Sequence, residues 1–304
     1  MHGWIILDKP YGLGSTQAVG AVKRNLYACG LMGKGRKIKV GHGGTLDPLA
    51  TGILPIALGE ATKLTGRLLD ASKIYDFTIS FGMQTDTLDV EGQAVAESAH
   101  RPARTDVEAV LPSFVGAIEQ IPPAYSALKI DGRRAYDLAR AGRQVEMKLR
   151  PVTVHSLHVA ALHPVGPGAL DAVTLTAHVS KGTYIRSLAR DIAQALGTVG
   201  HVTMLRRTKA GPFGLEQAIS LDKLNEIGQG APPEAIMLPL EAGLDDIPAL
   251  VLTPDQAALV RKGRVLDRQA SEDGLYWAKD ANGVPVALMQ IEGPMARVVR
   301  GFNM

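Results

Sequence analysis

Nine residues, Lys73 to Phe81, alternate in character, with Tyr75, Phe77, Ile79 and Phe81 on one side and Asp76, Thr78 and Ser80 on the other. A period of two marks a strand with one covered face and one wet face, so this part of the chain is committed to a sheet with something packed on it. The alternation recurs in Val173, Leu175, Ala177 and Val179, within a strand expected near 171–180, and another is expected near 152–162. Trp4–Leu7, Gly52–Leu58 and His201–Arg207 read as further short strands. Elsewhere the period becomes helical. Ser15 or Thr16 is expected to cap a helix with Ala18, Val19, Val22 and Leu26 on one face. Helices are also expected over Ala61–Leu69, over 104–120 after Thr105, and from Tyr184 to Leu196, stopped by Gly197. In the last of these Ile185, Leu188, Ala189 and Ile192 supply the buried face, while Arg186 and Arg190, four apart, share another.

Composition shifts at 228–248, where Gly228, Gly230, Pro232, Pro233, Pro239 and Pro248 mix with acids. The expected division is a domain over 1–230, a linker over 231–248 and a small β-rich domain over 249–304. The last carries short strands Leu275–Ala278, Val284–Gln290 and Ala296–Val299. No apolar run is long enough for a membrane helix, and no basic-then-apolar signal opens the chain. Cys29 is the one cysteine, which excludes a disulfide framework and fits a reducing cytoplasm. No Cys/His group has zinc-ligand spacing, so no metal is expected.

The net charge of +3 conceals segregation. Residues 1–45 carry seven Lys/Arg against Asp8, 129–150 carry seven against three acids, and 181–209 carry six against Asp191, while 84–108 and 216–246 are acidic. A polyanion would meet local positive surface despite the near-neutral total. Within the first segment Gly30–Lys39 is a basic, glycine-rich loop without P-loop spacing, either an arm for RNA phosphates or a disordered stretch.

Between Val40 and Gly52 runs V-G-H-G-G-T-L-D-P-L-A-T-G, with Asp47 its only acid. Gly41, Gly43 and Gly44 permit unusual backbone conformations and close approach, and Pro48 pushes Asp47 towards an extended conformation. A stiffly held lone carboxylate suits an active-site loop; a plain Asx-Pro turn has the same composition.

The stretch Gly41-His42, Gly44-Thr45-Leu46-Asp47-Pro48-Leu49-Ala50-Thr51-Gly52 resembles the catalytic-aspartate motif of the TruB family, the tRNA pseudouridine-55 synthases. Members often carry Thr where this chain has Gly43. Other similar blocks follow in order: Asp8-Lys9-Pro10 with Gly12 and Ser15, Gly59-Glu60-Ala61-Thr62-Lys63, Lys73-Ile74-Tyr75, and Thr85-Asp86-Thr87 with Asp89 and Gly92. Later come Gln120-Ile121-Pro122-Pro123 with Tyr125-Ser126-Ala127, Ser180-Lys181-Gly182-Thr183-Tyr184-Ile185-Arg186, and Leu205-Arg206-Arg207. The resemblance covers roughly residues 3 to 215.

It implies an α+β fold, a mixed and mainly antiparallel sheet flanked by helices, with a small β-rich C-terminal domain that contacts RNA. It also implies isomerisation of uridine 55 in the T loop of tRNA, without cofactor. Asp47 would be the catalytic aspartate, attacking C1′ or abstracting a sugar proton. Arg186 would pair with it, although spacing alone reads as a helix-surface arginine. Tyr75 would stack on the base and serve the proton chemistry at C5; its bland reading is a core aromatic. Tyr184 and Leu205 would line the base pocket, and His42 would fill the space left by the base or remain a polar loop residue. Lys9 serves either phosphate contact or loop structure. Residues 121–150 resemble the family's RNA-gripping insertion, with a short helix around Tyr136, Leu138 and Ala139. The implied partner is the tRNA T arm, with no membrane, no guide RNA and a monomeric enzyme. Three rivals stand beside this reading: a non-catalytic RNA binder, a glycoside hydrolase, most of which need two acids, and a guide-RNA-dependent relative.

Overall fold

The computed structural model describes residues 1–304 except 34, 127, 131 and 144–146, and only the backbone of 129, 130, 134 and 140. Lys34 of the basic loop, Ala127 of the Tyr125-Ser126-Ala127 block, and Asp131 and 144–146 of the insertion therefore lie outside the described residues. The α+β chain divides into two compact units interleaved along the sequence. The first comprises Met1–Pro48, Gly52–Leu69 and Ala210–Met304; the second comprises Leu49–Thr51 and Asp70–Lys209.

In the first unit Trp4, Ile5, Ile6 and Leu7 are all buried, as a continuous apolar run demands of a strand covered on both faces. The strand Gly3–Lys9 pairs antiparallel with Thr51–Leu58, from Gly3 opposite Leu58 to Lys9 opposite Gly52. Val40–His42 also pairs antiparallel with Thr51–Leu58. Trp4 anchors the core: its ring lies 5.3 Å from that of Phe213, and its Nε1 donates to Leu240 O at 3.0 Å. Ile6, Ile53, Leu64, Leu68, Leu244 and Phe302 complete the cluster. The 231–248 stretch, expected as a linker, is packed rather than loose. It forms 3-10 turns over Pro233–Ile236 and Leu240–Leu244, and buries Leu240, Leu244 and Ile247. Proline and glycine there mark irregular backbone, not absence of packing.

The helix Ser15–Ala28 forms as expected, but its N-cap is Gly14, whose N–H is taken by Gln17 Oε1 at 2.8 Å. The Ala61–Leu69 helix begins instead as a 3-10 turn over Gly59–Leu64 before an α-helix Thr65–Asp70. Residues 249–304 build a five-stranded sheet ordered Ala249–Val251, Gly274–Lys279, Pro285–Glu292, Met295–Gly301 and Leu266–Asp267. Its first pair is parallel and the others antiparallel. The helix Pro254–Arg261, with a Thr253/Gln256 capping box, contributes Ala257 and Val260 to the core of this sheet.

The second unit holds strands in the order Gly200–Ala210, Lys73–Phe81, Ala169–Val179, Arg150–Gly166 and Gly116–Gln120. The last three pairings are antiparallel. Phe77, Ile79, Val173 and Leu175 form one core with Leu188, Ala189 and Ile192 of the helix Ile185–Ala195. The helix expected over 104–120 is a helix only over Arg104–Val110, capped by Ala103 rather than Thr105. It passes into a 3-10 turn Leu111–Phe114 and then the strand Gly116–Gln120. Pro112 and Gly116, at φ +102°, break the helical run. Gln120 lies opposite Arg150, so the 121–149 excursion leaves and returns at neighbouring strand ends.

Candidate active site

The Asp47 loop belongs to the first unit and is held by its own neighbours. Gly43 N–H donates to Pro55 O at 2.8 Å, prolonging the pairing begun at Val40–His42. A Cβ at Gly43 would fall 2.5 Å from Leu68 Cδ1 and 3.0 Å from Leu68 Cβ, so a side chain there would require Leu68 to shift. Beyond it, Ser15 Oγ donates to Leu46 O and accepts from Leu46 N, both at 2.8 Å. On the far side Gly12 N–H donates to Pro48 O at 2.8 Å. Asp47, half-buried, thus sits between two residues whose backbones are fixed.

Lys9 lies in the interior of the turn that precedes Ser15. It is fully buried, and its ammonium donates to Leu13 O at 2.7 Å, Pro10 O at 3.0 Å and Pro48 O at 3.2 Å. A group so enclosed does not reach a phosphate in this conformation. His42 ends the Val40–His42 strand opposite Ile56 and is half-buried.

In the second unit Tyr75 lies in the Lys73–Phe81 strand opposite Ala177, half-buried and packed against the core cluster, as is Leu205. Lys73, two residues away, is buried and donates to Ala71 O at 2.6 Å. Burial first, and the nearby Arg207 charge second, lower its pKa to about 8. Tyr184 caps the helix Ile185–Ala195, and its backbone is gripped by the buried Gln120 amide. Gln120 Nε2 donates to Tyr184 O at 3.1 Å, and Tyr184 N–H donates to Gln120 Oε1 at 2.8 Å.

Arg186 is buried, contrary to a surface reading. Its Nη1 lies 3.2 Å from Asp89 Oδ2 and donates to Thr87 O at 2.9 Å, and its Nη2 donates to Tyr125 O at 3.0 Å. Asp89 is fixed in turn: its Oδ1 accepts from Thr87 Oγ1 at 2.6 Å and Glu91 N at 3.1 Å. These bonds close the turn around Leu88, which holds a positive φ of 63°. A buried arginine with an enclosed carboxylate is a preorganised cationic fork.

The structure therefore carries Lys9, His42 and Asp47 in one unit and Tyr75, Tyr184, Arg186 and Leu205 in the other. Sequence reasoning gave no role to Asp89, Gln120 and Ser15, although all three stand in the quoted blocks. Gln120 and Ser15 act on backbone atoms, which leave no trace in residue patterns, and the arginine that Asp89 meets lies far along the chain. Among the described residues no group of three or more His, Cys, Asp or Glu is placed to hold a metal. No helix among them is long and apolar enough to cross a membrane.

Comparison with known proteins matches residues 32–185 to the TruB family pseudouridylate synthase N-terminal domain, and 186–245 to the tRNA pseudouridylate synthase B C-terminal domain. A tRNA pseudouridine synthase B of Novosphingobium aromaticivorans is 65% identical over 304 residues, covering 100% of this chain and 98% of its own. Its counterpart in Zymomonas mobilis is 56% identical over 303 residues, covering 100% of this chain and 96% of its own. Among solved structures, an H/ACA RNP bound to a substrate RNA containing 2′-deoxyuridine aligns with a TM-score of 0.73 at 25% identity, over 99% of this chain and 85% of that one. An archaeal box H/ACA Nop10–Cbf5 complex gives 0.71 at 25% identity, over 99% and 86%.

Proposed function

The chain belongs to the TruB family of pseudouridylate synthases, and from that premise we propose that it converts uridine 55 in the T loop of tRNA to pseudouridine, with Asp47 as the catalytic carboxylate. The reaction breaks N1–C1′ and forms C5–C1′; the hydrogen on C5 leaves as a proton and N1 regains one. The exchange is redox-neutral and needs only side chains already present.

The target base is stacked inside a folded arm and must be swung out, at a cost on the order of a few kcal/mol. Tyr75 stacks on the extruded base and serves the proton step at C5; Tyr184 and Leu205 line its pocket, and His42 enters the gap it leaves. Asp47 acts as a carboxylate, by attack on C1′ or by taking a sugar proton. Arg186 is the arginine that holds the geometry of this carboxylate. The 121–150 insertion and the 249–304 sheet grip the tRNA, which is recognised directly, without guide RNA, by a monomer in the cytoplasm.

The observation that carries this reading is the loop itself: one carboxylate between Leu46 and Pro48, each tied by hydrogen bonds, with those to Leu46 buried. Catalysis by a single group requires such preorganisation. A folding-assistance protein with the same basic surface would have no use for it.

The experiment is tritium release from tRNA carrying 5-tritiated uridine, with purified protein and no added RNA, ATP or metal. Release is expected from the intact protein and none from Asp47→Ala, whose tRNA affinity persists because phosphate contacts supply most of it. A silent intact protein would remove the assignment, and a fully active Asp47 variant would remove the mechanism. A requirement for a second RNA would show guided recognition.

A further inference from the structure

We propose that Ser15 is a positioning residue for Asp47, acting through the backbone of Leu46; the proposal rests on the reading of Asp47 given above. A serine at the start of a helix ordinarily caps it. Here Gly14 takes the cap position, Gln17 Oε1 satisfies its N–H, and the Ser15 hydroxyl is left for another use. That hydroxyl makes two bonds, and both go to one residue. It donates to Leu46 O and accepts from Leu46 N, each at 2.8 Å, with a relative exposure of 5% at Ser15.

The hydroxyl is held by a rigid support. The helix Ser15–Ala28 buries Ala18, Ala21, Val22 and Leu26, so its first residue does not drift. A reciprocal pair of bonds to N and O of one residue fixes both the place and the orientation of its peptide planes. Leu46 directly precedes Asp47, while Pro48 directly follows it and is tied by Gly12 N–H and the Lys9 ammonium. Residues 9–15 thus brace Asp47 from both sides, leaving its side-chain torsions to set where the carboxylate points.

The division of labour between Lys9 and Ser15 makes the serine the informative one. Lys9 also ties Pro10 and Leu13, so its loss would disturb the whole turn. Removing the Ser15 hydroxyl loosens only the Leu46 side of the loop. Displacing a reacting group by about 1 Å is worth as much as about a hundredfold in rate, so a partial loosening should be plain in the chemical step.

The test measures single-turnover pseudouridine formation, tRNA affinity and melting temperature for Ser15→Ala, Ser15→Cys and Ser15→Thr. Assays are run well below each melting point. Threonine keeps a full hydroxyl and cysteine offers only a weak donor and acceptor. The expected rate order is wild type close to Thr, then Cys, then Ala, with Ala slower by about tenfold or more and affinity within about twofold throughout. If the alanine protein does not fold, the order of the other three decides. A folded Ser15→Ala with the wild-type rate, whatever its melting point, overturns the proposal, because the hydroxyl would then be merely structural. So does a folded Thr variant no faster than the Cys variant. An inactive Asp47→Ala beside a fully active Ser15→Ala would overturn this inference alone; an active Asp47→Ala would overturn the reading beneath it.

Discussion

Lys73 carries its charge into a buried site beside the positive charge of Arg207, and its pKa falls to about 8 for that reason. Below that pH the ammonium is charged in both folded and unfolded chains, and the folded state bears the full cost of burying it. Between about pH 8 and the ordinary lysine value near 10.5, the folded protein releases the proton while the unfolded chain keeps it. The unfolded state then binds more protons, so stability rises with pH across that window. Urea unfolding should show wild type gaining stability from about pH 7.5 to about pH 10 relative to Lys73→Met, with the variant the more stable protein at the lower end. Parallel pH curves for the two proteins would refute the assignment. Residues of this kind mark the limit of reading single positions. Asp47 stands out in sequence because its surroundings are glycine, proline and threonine. The burial of Arg186 and the diversion of Ser15 from cap to brace depend on which backbone atoms lie nearby, and only the fold supplies those.

The helix Ile185–Ala195 does more than cover a sheet, because its first turn and a half holds the root of the insertion. Arg186 donates to Tyr125 O, Ser187 Oγ donates to Ile121 O at 2.8 Å, and Arg190 Nη2 donates to Ile121 O at 3.1 Å. The Gln120 amide completes the clamp on Tyr184. Gln120→Ala would remove the partner of Tyr184 N–H, at about 1–3 kcal/mol for such a group, while Tyr184 O keeps Leu188 N–H at 3.0 Å. Amide exchange at Tyr184 and Leu188 should accelerate by about tenfold or more, since each 1.4 kcal/mol of local opening energy is tenfold. Exchange in the Pro285–Glu292 strand should stay as it was, and uniform acceleration there would mean general destabilisation instead. The helix itself was legible from its period and from Gly197. The 104–120 stretch was not, although Val110, Leu111 and Phe114 do pack on the core as the helical spacing required. The period found most of the buried face, but Val115, which it also placed there, is exposed, and it missed the change of element that Pro112 and Gly116 impose.

Over the whole chain 33 basic side chains nearly balance 30 acidic ones, so recognition of a polyanion has to come from where the charges lie. The order of segments along the sequence was a poor guide to compact units. Trp4 shares its core with Leu240 and Phe302, and Asp70–Lys209 forms the second unit together with Leu49–Thr51. Local charge survives this rearrangement, because a basic loop stays basic wherever the chain carries it. The Gly30–Lys39 loop exposes Arg36, Lys37 and Lys39, next to a tight turn in which Gly33 and Arg36 exchange backbone hydrogen bonds at 3.1 Å and 3.0 Å. If these side chains meet tRNA phosphates, each contact releases condensed counterions and adds about 0.9 to the slope of log affinity against log salt for a duplex arm. Changing all three to alanine should weaken tRNA binding at low salt and flatten that slope by about 2 to 3. The single-turnover rate at saturating tRNA should be unchanged, because none of the three belongs to the site around Asp47. A slope equal to that of wild type would show that the arm faces solvent in the complex. A lost rate with an unchanged slope would assign it to the chemical step, against the role argued here.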